Sequence, residues 1–178
     1  MLGTFLKRKL SNEKVANIFV NTLIDVIDNG FKEVAGLINE DVAFVTCPQI
    51  QENQNGEFGL IVIAGNLSFL ESTFDAEQAD AVGKLIFEKF GKLYGMTENE
   101  FASLIRKYQS FISHVNTPSK NMIYGMSKAI FHKYKLNEFQ NEYFARMQAP
   151  NPLFLKRMDE VVTNFIWDWD AFFKKYKI

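Results

Sequence analysis

The segment from Asn151 to Tyr176 constrains the fold more than any other, because it carries both a helix start and a continuous apolar face. Asn151 is a favourable N-cap residue, and Pro152 follows it at the first helical position, where a missing N–H costs nothing. Large apolar residues then recur at helical spacing as far as Tyr176. The pattern predicts one long amphipathic C-terminal helix that crosses the whole domain.

Trp167 is the one large apolar residue that breaks this pattern. A step of about 100° per residue places Trp169 on the inner face and Trp167 on the outer face, beside Thr163 and Lys174. A tryptophan ringed by polar side chains is typical of a binding hot spot, although single exposed aromatic residues also occur without a function. Trp167, Thr163 and Lys174 are therefore candidate interface residues.

Amphipathic segments with capping residues account for most of the remaining chain. Thr97 and Glu100 form a capping box, Asp75 precedes another helix start, and Gly30 and Gly95 stand where helices are expected to end. The predicted helices are 11–29, 31–38, 58–74, 75–94, 97–116, 117–135, 137–149 and 151–176. We therefore predict an all-α, single-domain helical bundle of seven or eight helices spanning residues 11–178.

The part of the chain from 39 to 74 is the least certain in secondary structure. Residues 39–57 contain Pro48 and an Asn-Gly turn signal and are predicted to be a long loop. Apolar residues between Leu60 and Phe74 favour a buried helix, but the sequence Gly-Leu-Ile-Val-Ile-Ala-Gly also resembles a strand. The alternative is an α+β fold with one small hairpin at about 41–64.

Residues 1–10 are predicted to form a basic amphipathic arm ahead of the helical domain. Such a segment either docks on its own domain or makes weak contact with an acidic protein or membrane surface. Its apolar and basic side chains are further candidate interface residues: Leu2, Phe5, Lys7, Arg8 and Lys9.

No familiar catalytic or metal-binding pattern is present in the sequence. The residues three before His114 and His132 are apolar, so the Glu-x-x-His motif of carboxylate-bridged metal sites is absent. The single cysteine, Cys47, cannot form an internal disulfide, and no run of about 18 apolar residues occurs. We therefore expect a cytoplasmic protein without a cofactor or metal, and we favour a non-enzymatic function.

Two functions fit this composition, in which 18 of 178 residues are Phe and the net charge is −1. The near-neutral charge disfavours nucleic acid as a partner. The first hypothesis is a helical interaction or scaffold protein that binds another protein or itself. The alternative is a carrier or enzyme for an apolar small molecule held in a Phe-rich helical pocket. A closed core with an exposed apolar patch would favour the first, and an internal cavity of about 300 Å³ or more would favour the second.

Overall fold

The computed structural model describes residues 7–178, which form a helical bundle with one very short sheet. The helices are α1 (Asn12–Glu40), α2 (Gly56–Leu67), α3 (Leu70–Thr73), α4 (Ala76–Tyr94), α5 (Glu98–Asn116), α6 (Met122–Lys133), α7 (Glu142–Met147), α8 (Pro152–Val162) and α9 (Trp169–Lys175). Leu136–Phe139 and Thr163–Phe165 are 3-10 turns, and the strands are β1 (Arg8–Lys9) and β2 (Tyr176–Lys177). The prediction of an all-α bundle is confirmed.

The alternative hairpin at about 41–64 is not formed. Residues Gly56–Leu67 are helical and almost entirely buried, and Phe44 makes only an isolated antiparallel bridge with Gln140. Helix α2 packs against α1, α5 and α6, so its apolar side chains are buried against a neighbouring helix on nearly every side. That environment explains why its sequence lacks the polar stripe of a surface helix and resembles a buried strand.

Helix α1 is longer than predicted, because Gly30 does not end it. Ser11 caps its start as expected, accepting a hydrogen bond from the Lys14 N–H at 3.4 Å. At Gly30 the ring of Phe165 packs so closely that a Cβ atom would lie 2.8 Å from it. Glycine is therefore used here for close approach and not for a left-handed helix end, and the predicted helices 11–29 and 31–38 are one element.

Capping residues locate several other helix ends correctly. Asp75 accepts from the Gln78 N–H at 2.8 Å, the Thr97–Glu100 capping box is present, and Gly95 ends α4 in the left-handed conformation with φ 67°. The predicted helices 117–135 and 137–149 are shorter than expected. Asn121 caps α6 and Asn141 caps α7, so each helix begins about four residues later than the sequence indicated.

The prediction of one uninterrupted helix from Asn151 to Tyr176 is wrong. Its start is as expected, because Asn151 caps α8 and Pro152 is the first residue of that helix. After Val162 the chain passes through the 3-10 turn, leaves helical geometry, and begins α9 at Trp169. The C-terminal region is therefore two helices separated by a break.

The buried side chain of Asn66, on α2, fixes this break. Its amide group donates to the Phe165 carbonyl at 2.9 Å, and its Oδ1 accepts from the Trp167 N–H at 2.7 Å. Both backbone groups would bond within an uninterrupted helix, so the side chain replaces their helical partners. Asp168 then caps α9 by accepting from the Ala171 N–H at 2.8 Å.

The end of the predicted arm is joined to the end of the chain. Strand β1 pairs in parallel with β2, with Arg8 opposite Tyr176, and the Leu10 N–H donates to the Lys177 carbonyl at 2.8 Å. The side chain of Leu10 is buried in the hydrophobic core.

The excess of Phe lies in a closed core. None of the Phe residues between positions 7 and 178 is exposed, and seven of them are among the largest fully buried side chains. Their rings contact one another at interplanar angles up to 86°, as for Phe58 and Phe165, whose centroids are 4.8 Å apart. Tilted and edge-to-face ring pairs of this kind are the favourable arrangements.

Candidate functional site

Trp167 does not lie on an outer helix face, so its predicted placement is wrong. The break in the C-terminal region turns its ring inward, with centroids 5.6 Å from Phe19 and 5.8 Å from Phe172. Its indole N–H is buried and has no hydrogen-bond partner within residues 7–178. The prediction that Trp167 lies on the outer face assumed helical geometry through residues 166–168. Asn66 interrupts the helix there, because its Oδ1 accepts the Trp167 N–H.

The other predicted interface residues lie in two places. Thr163 is exposed in the 3-10 turn, where its hydroxyl donates to the Asp159 carbonyl at 2.7 Å. Lys174 is exposed on α9, close in sequence to the β2 strand that pairs with Arg8 and Lys9. Lys7 is also exposed, whereas Leu2 and Phe5 lie outside the described residues. A role of any of them in binding a protein or a membrane surface remains a prediction.

Several exposed apolar side chains lie on segments that the buried residue Gln140 joins. Its amide group donates to the Ala149 carbonyl at 2.9 Å, and its Oε1 accepts from the Asn151 N–H at 2.7 Å. The backbone of Gln140 bridges Phe44, and the Val45 N–H donates to the Phe139 carbonyl at 2.8 Å. Gln140 thus joins the loop after α1, the ends of α7 and the start of α8.

The segments joined at Gln140 carry five of the seven large apolar side chains that are exposed within residues 7–178. Their exposed fractions range from 56% to 88%. The other two, Leu93 and Met96, lie at the junction of α4 and α5. We call the five residues the apolar patch: Val42, Val45, Tyr143, Met147 and Leu153.

An ion pair between Asp41 and Arg157 anchors the loop that carries Val42 and Val45. Asp41, whose side chain is 1% exposed, accepts two hydrogen bonds from the Arg157 guanidinium at 2.7 and 2.5 Å, and a third from the Ala43 N–H at 2.8 Å. The rings of Phe44 and Phe154, 5.0 Å apart, add a second contact between the loop and α8. A surface anchored in this way loses little conformational entropy on binding.

A surface opening of about 590 Å³ lies at the start of α2. Ile50 and Leu60 contribute apolar walls, and Tyr134 and Lys135 line it from the end of α6. Burial raises the pKa of Tyr134 to about 12, so its hydroxyl stays protonated at neutral pH and donates to the Gln54 carbonyl.

Glu57 organises the charged side of this opening. Its Oε2 accepts from the Tyr108 hydroxyl at 2.6 Å and lies 3.6 Å from the Lys133 ammonium, which stands 4.5 Å above the Tyr108 ring. Burial, and then the bond to Glu57, raises the pKa of the Tyr108 hydroxyl. The Lys133 ammonium is thus paired with Glu57 and lies against the Tyr108 ring. These contacts stabilise the junction of α2, α5 and α6.

A second opening, of about 950 Å³, lies between α4 and α5. Its lining mixes apolar and charged side chains of both signs, such as Phe87, Glu98 and Arg106. Ala79 and Gly83 of α4 both line this opening, and a Cβ on Gly83 would lie 3.7 Å from the side chain of Leu70. Nothing in this mixed lining selects one class of ligand.

Within residues 7–178, no group of three or more His, Cys, Asp or Glu side chains is placed to hold a metal ion. In the same residues, no helix combines the length and apolar character needed to cross a bilayer. Ser127 is fully buried and donates to the Asp159 carboxylate at 2.5 Å, a bond that links α6 to α8.

Comparisons of the chain with protein-family models, with curated protein sequences and with solved structures found no match.

Sequence reasoning missed the apolar patch. Tyr143 and Met147 stand one turn apart, so their common face on α7 could have been read from the sequence. Val42 and Val45 had no such signal, because the bridge between Phe44 and Gln140 that brings their loop to α7 joins residues far apart in the chain.

Proposed function

We propose that this chain is a non-enzymatic interaction module that binds a protein partner through the apolar patch. The observation that carries the proposal is the concentration of exposed large apolar side chains on the segments joined at Gln140. Single exposed apolar residues are normal on a protein surface, whereas clusters of on the order of 300–600 Å² are often functional. The Phe-rich core agrees with this function, because most of the Phe side chains between positions 7 and 178 pack against one another in the interior.

The test compares two matched pairs of substitutions. The double variant Tyr143→Ser/Met147→Ser removes the α7 part of the apolar patch, and Leu93→Ser/Met96→Ser removes the other exposed apolar pair. All four side chains are exposed, so both variants should keep the wild-type circular dichroism spectrum and midpoint of urea unfolding. Partner capture from cell extract is measured by mass spectrometry, and self-association by sedimentation.

We expect the patch variant to lose about tenfold or more of capture or self-association, and the control variant to match the wild type. Equal binding by all three folded proteins in both measurements would exclude the apolar patch as the interaction surface.

A second candidate function is a carrier of an apolar small molecule, which the opening at the start of α2 favours. That opening has the volume of a small-ligand site, although Ile50, Leu60 and Tyr134 line it and not Phe. Titration with the apolar fluorophore 1-anilinonaphthalene-8-sulfonate tests this candidate. Leu60→Gln should weaken saturable binding, with Leu93→Gln as the control, and a wild type that shows no saturable binding would rule it out.

A further inference from the structure

The outer face of α7 carries four exposed residues in two parallel rows. Glu142 and Arg146 form one row and are paired with each other, with side chains 76% and 78% exposed. Tyr143 and Met147 form the adjacent row and belong to the apolar patch. Within each row the two residues are one helical turn apart, so the face consists of one opposite-charge pair beside one apolar pair.

This arrangement is complementary to itself. When two helices pack face to face and antiparallel about a two-fold axis, each row meets the same row of the other copy in reverse order. Glu142 then faces Arg146 of the second copy, and Tyr143 faces Met147 of the second copy, each contact occurring twice. Reciprocal contacts of this kind define the interfaces of two-fold symmetric dimers.

We propose that the partner of the apolar patch is a second copy of this chain, docked through antiparallel pairing of α7 about a two-fold axis. This inference rests on the proposed function, since it names the partner of the same surface. It predicts aromatic–thioether contacts between Tyr143 and Met147 and two ion pairs between copies. The net charge of −1 gives little long-range repulsion between two copies.

The small size of the α7 face sets the expected strength of the dimer. Helix α7 has six residues, and four of them form the proposed contact, whereas a standard stable interface uses roughly 20–30 residues per partner. The dimer is therefore expected to be reversible and to form as the protein concentration rises.

Charge reversal on α7 tests the proposed pairing directly. In Glu142→Arg, two arginines of one copy would face two arginines of the other, and in Arg146→Glu two glutamates would face two glutamates. Each single variant should self-associate about tenfold more weakly than the wild type. An equimolar mixture of the two variants should recover a dimer, because the arginine rows then face glutamate rows. The double swap Glu142→Arg/Arg146→Glu should also recover it.

Sedimentation equilibrium of the wild type, both variants, their mixture and the double swap gives these affinities, with circular dichroism as the check on folding. A wild type that remains monomeric at every concentration overturns the inference, as does a mixture that associates no better than its components. If the wild type is monomeric while Tyr143→Ser/Met147→Ser still loses capture of another protein, the proposed function stands and self-association is rejected. If that double variant changes neither measurement, both proposals fail.

Discussion

The hydroxyl group of Tyr134 replaces a helix cap that the local sequence does not provide. Asn55 precedes α2, but its side chain makes no capping bond and donates instead to Asp28 at 2.9 Å. Tyr134 instead accepts from the Phe58 N–H at 3.2 Å and donates to the Gln54 carbonyl at 2.5 Å. One phenolic oxygen thus satisfies two backbone groups at the start of the most buried helix.

Removal of this hydroxyl should therefore destabilise the protein. We expect Tyr134→Phe to lower the free energy of unfolding by about 1–3 kcal/mol, because the Phe58 N–H loses its partner in a partly buried position. Tyr124→Phe is the matched control, since the Tyr124 hydroxyl makes no hydrogen bond within residues 7–178 and the ring sits beneath Lys128. Urea unfolding measures both variants, and an equal effect of the two would show that Tyr134 does not act as a cap.

At the scale of whole elements, the sequence predicted what local interactions decide. Asp75, Thr97 and Asn151 act as caps within three residues of their own positions, so those helix starts were correct. The break after Phe165 was missed, because the group that causes it, Asn66, is about a hundred residues away in the chain. Asp168 is a favourable N-cap residue, but it stands in a segment whose large apolar residues recur at helical spacing on both sides of it.

Asn66 should consequently control the stability of the C-terminal elements. We expect Asn66→Ala to cost about 2–5 kcal/mol, because it leaves the Phe165 carbonyl and the Trp167 N–H without their partners inside the protein. Urea unfolding gives the total cost, and hydrogen exchange of the amides from 163 to 175 gives its location. Exchange that rises equally in α4 and α5 would contradict a local role for Asn66.

Residues 8–10 pair with residues 176–177, and this contact joins the first and last elements of the described structure. Leu10 is 4% exposed within the core, whereas the neighbouring Lys9 is exposed in β1. The sequence indicated the amphipathic character of this segment, but its pairing with β2 depends on the path of the complete chain. The same limit applied to the apolar patch, whose parts meet only after the bundle has formed.

Leu10→Ala should test how much this contact contributes. We expect a loss of about 2–4 kcal/mol, which corresponds to a buried leucine that leaves a cavity, and a change within about 0.5 kcal/mol for Lys9→Ala. Thermal and urea unfolding provide the comparison. Equal, small effects would mean that the terminal segment does not support the core.

The pairing of β1 with β2 makes the chain suitable for circular permutation. Residues 10 and 177 are already hydrogen-bonded, so a flexible peptide of a few residues suffices to join the end of β2 to the start of β1. New termini opened between Glu52 and Asn53, both exposed in the loop before α2, would leave every helix intact. Because β1 and β2 are adjacent, this bundle is also a candidate for insertion into a surface loop of a host protein. The two ends of that loop would not have to move far apart.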